Sequence, residues 1–112
     1  PYSDIFTMTL YTKDQYYEAK IQIRPKNEEL EAFIKNEIDK NDYVFISKEE
    51  VKKYGIDLYI SSLKFAKKLA PKVKERFKIK PLFSTTLFGE KEGRRVYRLT
   101  VLFRLERERR ED

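Results

Sequence analysis

The chain has 112 residues, with 25 Lys and Arg against 19 Asp and Glu, a net charge of +6, and no Cys, His or Trp. That length is one domain's worth, and the missing residue types exclude disulfides, zinc sites built on Cys or His, thiolate nucleophiles and His-based triads. No apolar run approaches the roughly 18 residues of a membrane span, and no secretory leader is expected before the first polar residues.

Ile5–Tyr11 alternates, with Phe6, Met8 and Leu10 on one face, and predicts a strand. Thr12–Gln15 reads as a polar turn. Tyr16–Arg24 alternates again: Tyr17, Ala19, Ile21 and Ile23 point one way, and Glu18, Lys20, Gln22 and Arg24 the other. Pro25 ends that strand. Asn27 is a good N-cap, Glu28, Glu29 and Glu31 suit the positive end of a helix dipole, and Leu30, Phe33, Ile34 and Ile38 recur at helical spacing, so 27–40 is an amphipathic helix. Tyr43–Ser47 is a short strand. From Lys48 to Tyr54 two readings stand: Ser47 to Glu50 fits a capping box and a helical turn, whereas extension through Val51 makes a hairpin into the strand Ile56–Ile60. The hairpin is favoured because that strand follows at once.

Ser61 or Ser62 caps a second helix. Its Phe65, Ala66, Leu69, Ala70, Val73 and Phe77 gather within about 140° of arc. Lys64, Lys67, Lys68, Lys72, Lys74 and Lys78 fall opposite them, and Pro71 sits within that polar arc. An interior proline deletes the bond to the carbonyl four residues back and costs roughly 3 kcal/mol, so a kink or a break is expected there. Lys80–Phe88 and Arg94–Leu105 complete the set as strands joined by a loop, 89–93, whose two glycines can take positive φ. Glu106–Asp112 is all charge and is expected to be a disordered tail. The order predicts an α+β domain over 1–105: a ferredoxin-like split βαβ, its antiparallel sheet carrying two helices on one face plus an extra hairpin.

Charge is unevenly spread. Residues 1–50 hold 7 basic and 11 acidic side chains, and 51–112 hold 18 and 8. Ordinary surface helices interleave Glu and Lys four apart; between Leu63 and Lys78 the only acid is Glu75. Lysines without acids repel one another, and a polyanion relieves them. Solvated surface is the competing reading. Arg24, Arg98 and Arg104 on the open sheet face and Arg94 and Arg95 in the loop suit phosphate, because guanidinium binds it bidentately. Cross-strand pairing with acids is the competing reading for each arginine. No aromatic is expected among them to stack bases and the RNP pattern is absent, so backbone and shape recognition fit better than sequence reading. Tyr11 and Tyr16 are candidate exposed stackers. Asp57 has no second carboxylate placed beside it, Ser61 and Ser62 have no base nearby, and no Gly-rich phosphate loop exists. No catalytic residue, metal or cofactor is therefore expected.

Several segments in order carry a family resemblance: YYEAKIQIRP (Tyr16–Pro25) followed by NEELEAF, DYVFIS (Asp42–Ser47), GIDLYISSLKFAKKLA (Gly55–Ala70) and GRRVYRLTVLFRL (Gly93–Leu105). They resemble the archaeal Nmd-type family, described as NMD protein affecting ribosome stability and mRNA decay, whose eukaryotic relatives are export adaptors for the large ribosomal subunit. The resemblance spans about Tyr16–Leu105 and implies a module that binds the large subunit, through rRNA and ribosomal proteins, in assembly or stability control. It carries Ser61, Ser62, Lys64, Lys67, Lys68, Arg94, Arg95, Arg98 and Arg104 over as candidates. Family members open with zinc-binding cysteine pairs; this sequence has none and starts without Met, so it reads as a fragment or processed chain. The expectation is thus a cytoplasmic, non-catalytic RNA-binding module contacting phosphates through Lys64, Lys67, Lys68, Lys72, Lys74, Arg24, Arg94, Arg95, Arg98 and Arg104. No membrane or small-molecule partner is expected. The alternative is a protein-interaction domain that meets an acidic ribosomal protein or translation factor with the same patch.

Overall fold

A computed structural model describes residues 16–105, the side chains of Phe88, Glu90, Lys91, Arg94, Arg95 and Val96 excepted. The strand expected at Ile5–Tyr11, the turn at Thr12–Gln15 and the tail at Glu106–Asp112 lie outside the described residues. Within them the order is β1 (Ala19–Arg24), α1 (Glu28–Asp39), β2 (Ile46–Lys52), β3 (Gly55–Ile60), α2 (Leu63–Phe77), β4 (Leu82–Lys91) and β5 (Arg94–Arg104). The fold is α+β: one five-stranded sheet, ordered β2-β3-β1-β5-β4, with both helices on one face.

β1 leads through α1 to β2, and β3 hairpins back between them, antiparallel to both. That is a split βαβ unit, compatible with a ferredoxin-like plan. The extra hairpin is β4–β5. The sheet is mixed rather than wholly antiparallel, because β5 runs parallel to β1. The reason is topological: α2 carries the chain past the seat beside β1 to the far edge, and β5 returns into that seat from β4.

Alternation sets the faces. Ala19, Ile21 and Ile23 of β1, Ile56, Leu58 and Ile60 of β3, and Leu99, Val101 and Phe103 of β5 point under the helices and are buried. Leu30, Ile34 and Ile38 of α1 and Phe65, Ala66, Leu69, Ala70 and Val73 of α2 close the core from above. Phe33 and Phe77 meet edge-to-face across the helix pair, centroids 5.5 Å apart. At Gly55 the strands approach so closely that a Cβ would lie 2.0 Å from the Ile23 carbonyl oxygen, so only glycine fits.

Four local readings are revised or narrowed. The strand expected at Tyr43–Ser47 starts at Ile46 and continues to Lys52, forming the hairpin through Lys53-Tyr54. The 89–93 loop shrinks to a two-residue turn in which Glu92 (φ 52°) and Gly93 (φ 79°) take positive φ, while Gly89 stays in β4 beside a bulge. Ser62, not Ser61, caps α2, its hydroxyl accepting from the Phe65 N–H at 3.0 Å. Finally, α2 runs through Pro71 without a break. Pro71 is exposed, so the carbonyl freed at Lys67 faces water, and buried Leu69, Ala70 and Val73 hold the helix to the core on either side.

Candidate nucleic-acid interface

The candidate cations divide between two opposite surfaces. Lys64, Lys67, Lys68, Lys72 and Lys74 lie on the outer side of α2, all exposed. Arg24, Arg98 and Arg104 belong to the open face of the sheet, opposite the buried alternation. Arg94 and Arg95 open β5, and their side chains lie outside the described set.

The apolar positions of α2 turn its lysines outward. Among the described residues Lys64, Lys67, Lys68 and Lys74 make no ion pair. Lys72 does: its ammonium lies 3.1 Å from Glu37 of α1, which also takes Lys40 at 3.2 Å. Glu37 is buried, and the hydrogen bonds from Lys72 and then Lys40 hold its carboxyl below the usual carboxylate range. A compensating acid thus exists for one lysine, supplied by the neighbouring helix rather than by a position four residues away. From Lys64 to Lys74 the row spans about 15 Å of helix axis at 1.5 Å per residue.

The N-terminal end of α2 is fastened from two sides. Ser61 accepts the Phe45 N–H at 2.9 Å, and the Glu18 carboxylate accepts the Leu63 N–H at 2.8 Å. A carboxylate there complements the helix dipole. Tyr16 also donates to Glu18, which pushes the phenol up to about 12. The Tyr16 ring remains half exposed, whereas Tyr11 lies outside the described residues.

The open sheet face is more self-contained than its composition suggests. Arg24 bonds Asp57 at 2.5 Å and the carbonyls of Ile23 and Ile56 at 3.1 and 3.2 Å. Arg98 stacks 3.9 Å from the Tyr17 ring centroid and donates to the Tyr17 carbonyl. Arg104 is exposed. Aromatics do stand on this face, contrary to expectation. Tyr17 meets Tyr59 edge-to-face at 4.8 Å, and Lys20 and Lys48 lie over the Tyr59 ring at 5.3 and 5.1 Å. Tyr59 is readable from its alternation with Leu58 and Ile60. Tyr17 is not, because the chain bends at Glu18 and carries it off the face that strand parity assigns. Neither ring offers a free stacking platform: Tyr59 is 8 % exposed, under lysine stems, and Tyr17 is half-buried beneath Arg98.

Tyr59 donates a 2.8 Å hydrogen bond to Glu50, and Lys48 and Lys52 lie 3.2 and 3.4 Å from the same carboxylate. The Tyr59 bond first, and Lys48 second, lower Glu50 from 4.5 to about 2, and burial with the Glu50 bond raises the Tyr59 phenol. A carboxylate depressed in the fold adds stability above its unfolded value and loses it on acidification. Wild type is therefore expected to lose stability relative to Tyr59→Phe as pH falls from about 4.5 towards 2, the gap between them closing across that window. Urea unfolding of both chains at half-unit pH steps reads this directly; a constant gap would show that Tyr59 does not set the Glu50 titration.

Among the described residues no group of His, Cys, Asp and Glu could hold a metal ion. A five-stranded α+β sheet, one helix lined outward with unpaired lysines and the other face closed by ion pairs define a small basic-faced module. Residues 16–105 match the family model described as NMD3, second domain. The chain belongs to the NMD3 family, which ties it to ribosome-related function. A comparison with curated proteins gives no match.

Proposed function

We propose that this chain is a non-catalytic, RNA-contacting module that binds the large ribosomal subunit in the cytoplasm, in assembly or stability control. Lys64, Lys67, Lys68 and Lys74 meet rRNA phosphates along α2. The observation that carries this is the row itself: four exposed ammonium groups on one helix side, without an ion-pair partner among the described residues. Membership in a family of non-enzymatic ribosome export adaptors supports the same reading. Arg24 takes a structural part in it, since its guanidinium is taken up by Asp57 and two carbonyls. Arg104, exposed on the opposite face, is left for a secondary contact.

Phosphate contact releases counterions, so affinity falls with salt in proportion to the contacts made. Binding to purified large subunits between 50 and 200 mM salt is expected to give a log–log slope of about −3 for four lysines. A slope near zero would overturn rRNA contact. Binding that survives excess competitor rRNA but is lost with one ribosomal protein removed would instead establish the acidic-protein reading.

A further inference from the structure

Among the described residues the sheet has two edges, and they are built differently. β2 is guarded: ISKEEVK carries Lys48, Glu49, Glu50 and Lys52 and has a register shift between Ile46 and Lys48. Charges and bulges of this kind keep an edge from pairing with another chain. β4 is ten residues long; its own register shift, between Leu87 and Gly89, and its charges, Glu90 and Lys91, lie at its C-terminal end, and from Leu82 to Leu87 it has no charge, no proline, no glycine and no bulge. Leu82, Phe83 and Leu87 are 49, 53 and 52 % exposed. Phe83 and Leu87 lie on the helix side, by register with Val101 and Tyr97, where α2 packs over β1 and β5 and leaves them uncovered. Tyr97 extends the same strip at 45 % exposure.

At the N-terminal end of this edge lies a cleft whose floor includes Phe77, Leu82 and Leu105 and whose rim carries Lys78, Lys80 and Arg104. All three cations are exposed, and among the described residues no acid lines the cleft. We propose that β4 is a strand-addition site for an extended, acidic polypeptide segment of a protein partner. The segment's backbone pairs with the outward N–H and C=O groups of β4, its apolar side chains cover Phe83, Leu87 and Tyr97, and a terminal carboxylate enters the cleft at Lys78, Lys80 and Arg104. Main-chain pairing supplies affinity and alternate side chains supply specificity in this mode. Nucleic acid matches only the cleft, since it has no ladder to offer a strand edge. A second copy brings its own charge of +6 and is repelled. This site is separate from the α2 lysine row, so either can fail without the other.

The test uses the 112-residue chain and a synthetic peptide of alternating Val and Thr with two glutamates at each end. Amide hydrogen exchange is expected to show new protection within Leu82–Leu87. A peptide ending in lysines is expected to bind at least about ten-fold more weakly, as is Phe83→Glu/Leu87→Glu with the acidic peptide. N-methylation of alternate peptide amides, on the edge that faces the strand, is expected to abolish binding. Both substituted side chains are half exposed, and unchanged exchange in β1 and β3 certifies that the variant is folded. No protection of β4 at millimolar peptide overturns the proposal. So does equal affinity for both peptides, protection that grows with protein concentration alone, or β4 protection produced by single-stranded RNA.

Discussion

Arg24→Met is expected to destabilise the protein by about 3 kcal/mol, the low end for breaking a buried pair, because the arginine is itself 22 % exposed. Asp57 is the reason. Its side chain is 2 % exposed on the sheet face that neither described helix covers, and its other cation, Lys52, stands off at 3.9 Å. Removing the guanidinium strands a carboxylate away from water and also frees the carbonyls of Ile23 and Ile56. The double variant Arg24→Met/Asp57→Asn removes the stranded charge, and is expected to cost less than Arg24→Met alone. Urea unfolding of the two single variants and the double closes the cycle. The double variant also lacks the Arg24 cation, so it should bind large subunits as wild type does if this arginine is structural. A single-variant cost below about 1 kcal/mol, the range of exposed pairs, would return Arg24 to the set of free phosphate ligands.

What the sequence could reveal divides along the range of the interactions involved. Strand β1 and both helices are legible because alternation and helical spacing are local: Ile21 and Ile23, or Leu69 and Val73, declare their buried side within a few residues. The identity of a strand's neighbour is not local. Parity places Leu99, Val101 and Phe103 on the core face whether β5 sits beside β1 or at the edge, so the parallel pairing could not be read from the pattern. The same limit governs the charges. Glu37 neutralises Lys72 from 35 residues away, and Asp57 holds Arg24 from 33. A chain-order reading sees a lysine helix without acids and a sheet of free arginines; folding supplies a partner to Lys72 in the first group and to Arg24 and Arg98 in the second. At Pro71 the break that the residue allows does not occur. Its local penalty is real, but the anchoring of Ala70 and Val73 and the solvation of the opposite side let the helix continue.

Reversal of Lys64, Lys67 and Lys68 to glutamate should separate function from fold by moving affinity and stability in opposite directions. At 0.1 M salt each phosphate contact contributes about one log unit of affinity through counterion release. Loss of three contacts is therefore expected to weaken large-subunit binding by about 100- to 1000-fold, with the salt slope reduced by about 2. The fold has no reason to suffer, because the three ammonium groups touch no partner among the described residues. It should gain slightly. The first turn of α2 contains no acid of its own and begins Leu63-Lys64, so a cation sits beside the Glu18 carboxylate at the end where the helix dipole favours anions. Glutamate there is worth about 0.3–1 kcal/mol, visible as a higher urea midpoint. A protein that keeps lysine at the wrong end of its helix dipole forgoes stability that one substitution would supply, and contact with a polyanion is the physical return that offsets it. Unchanged subunit affinity in this variant would remove the lysine row from the interface and leave the helix as plain solvated surface.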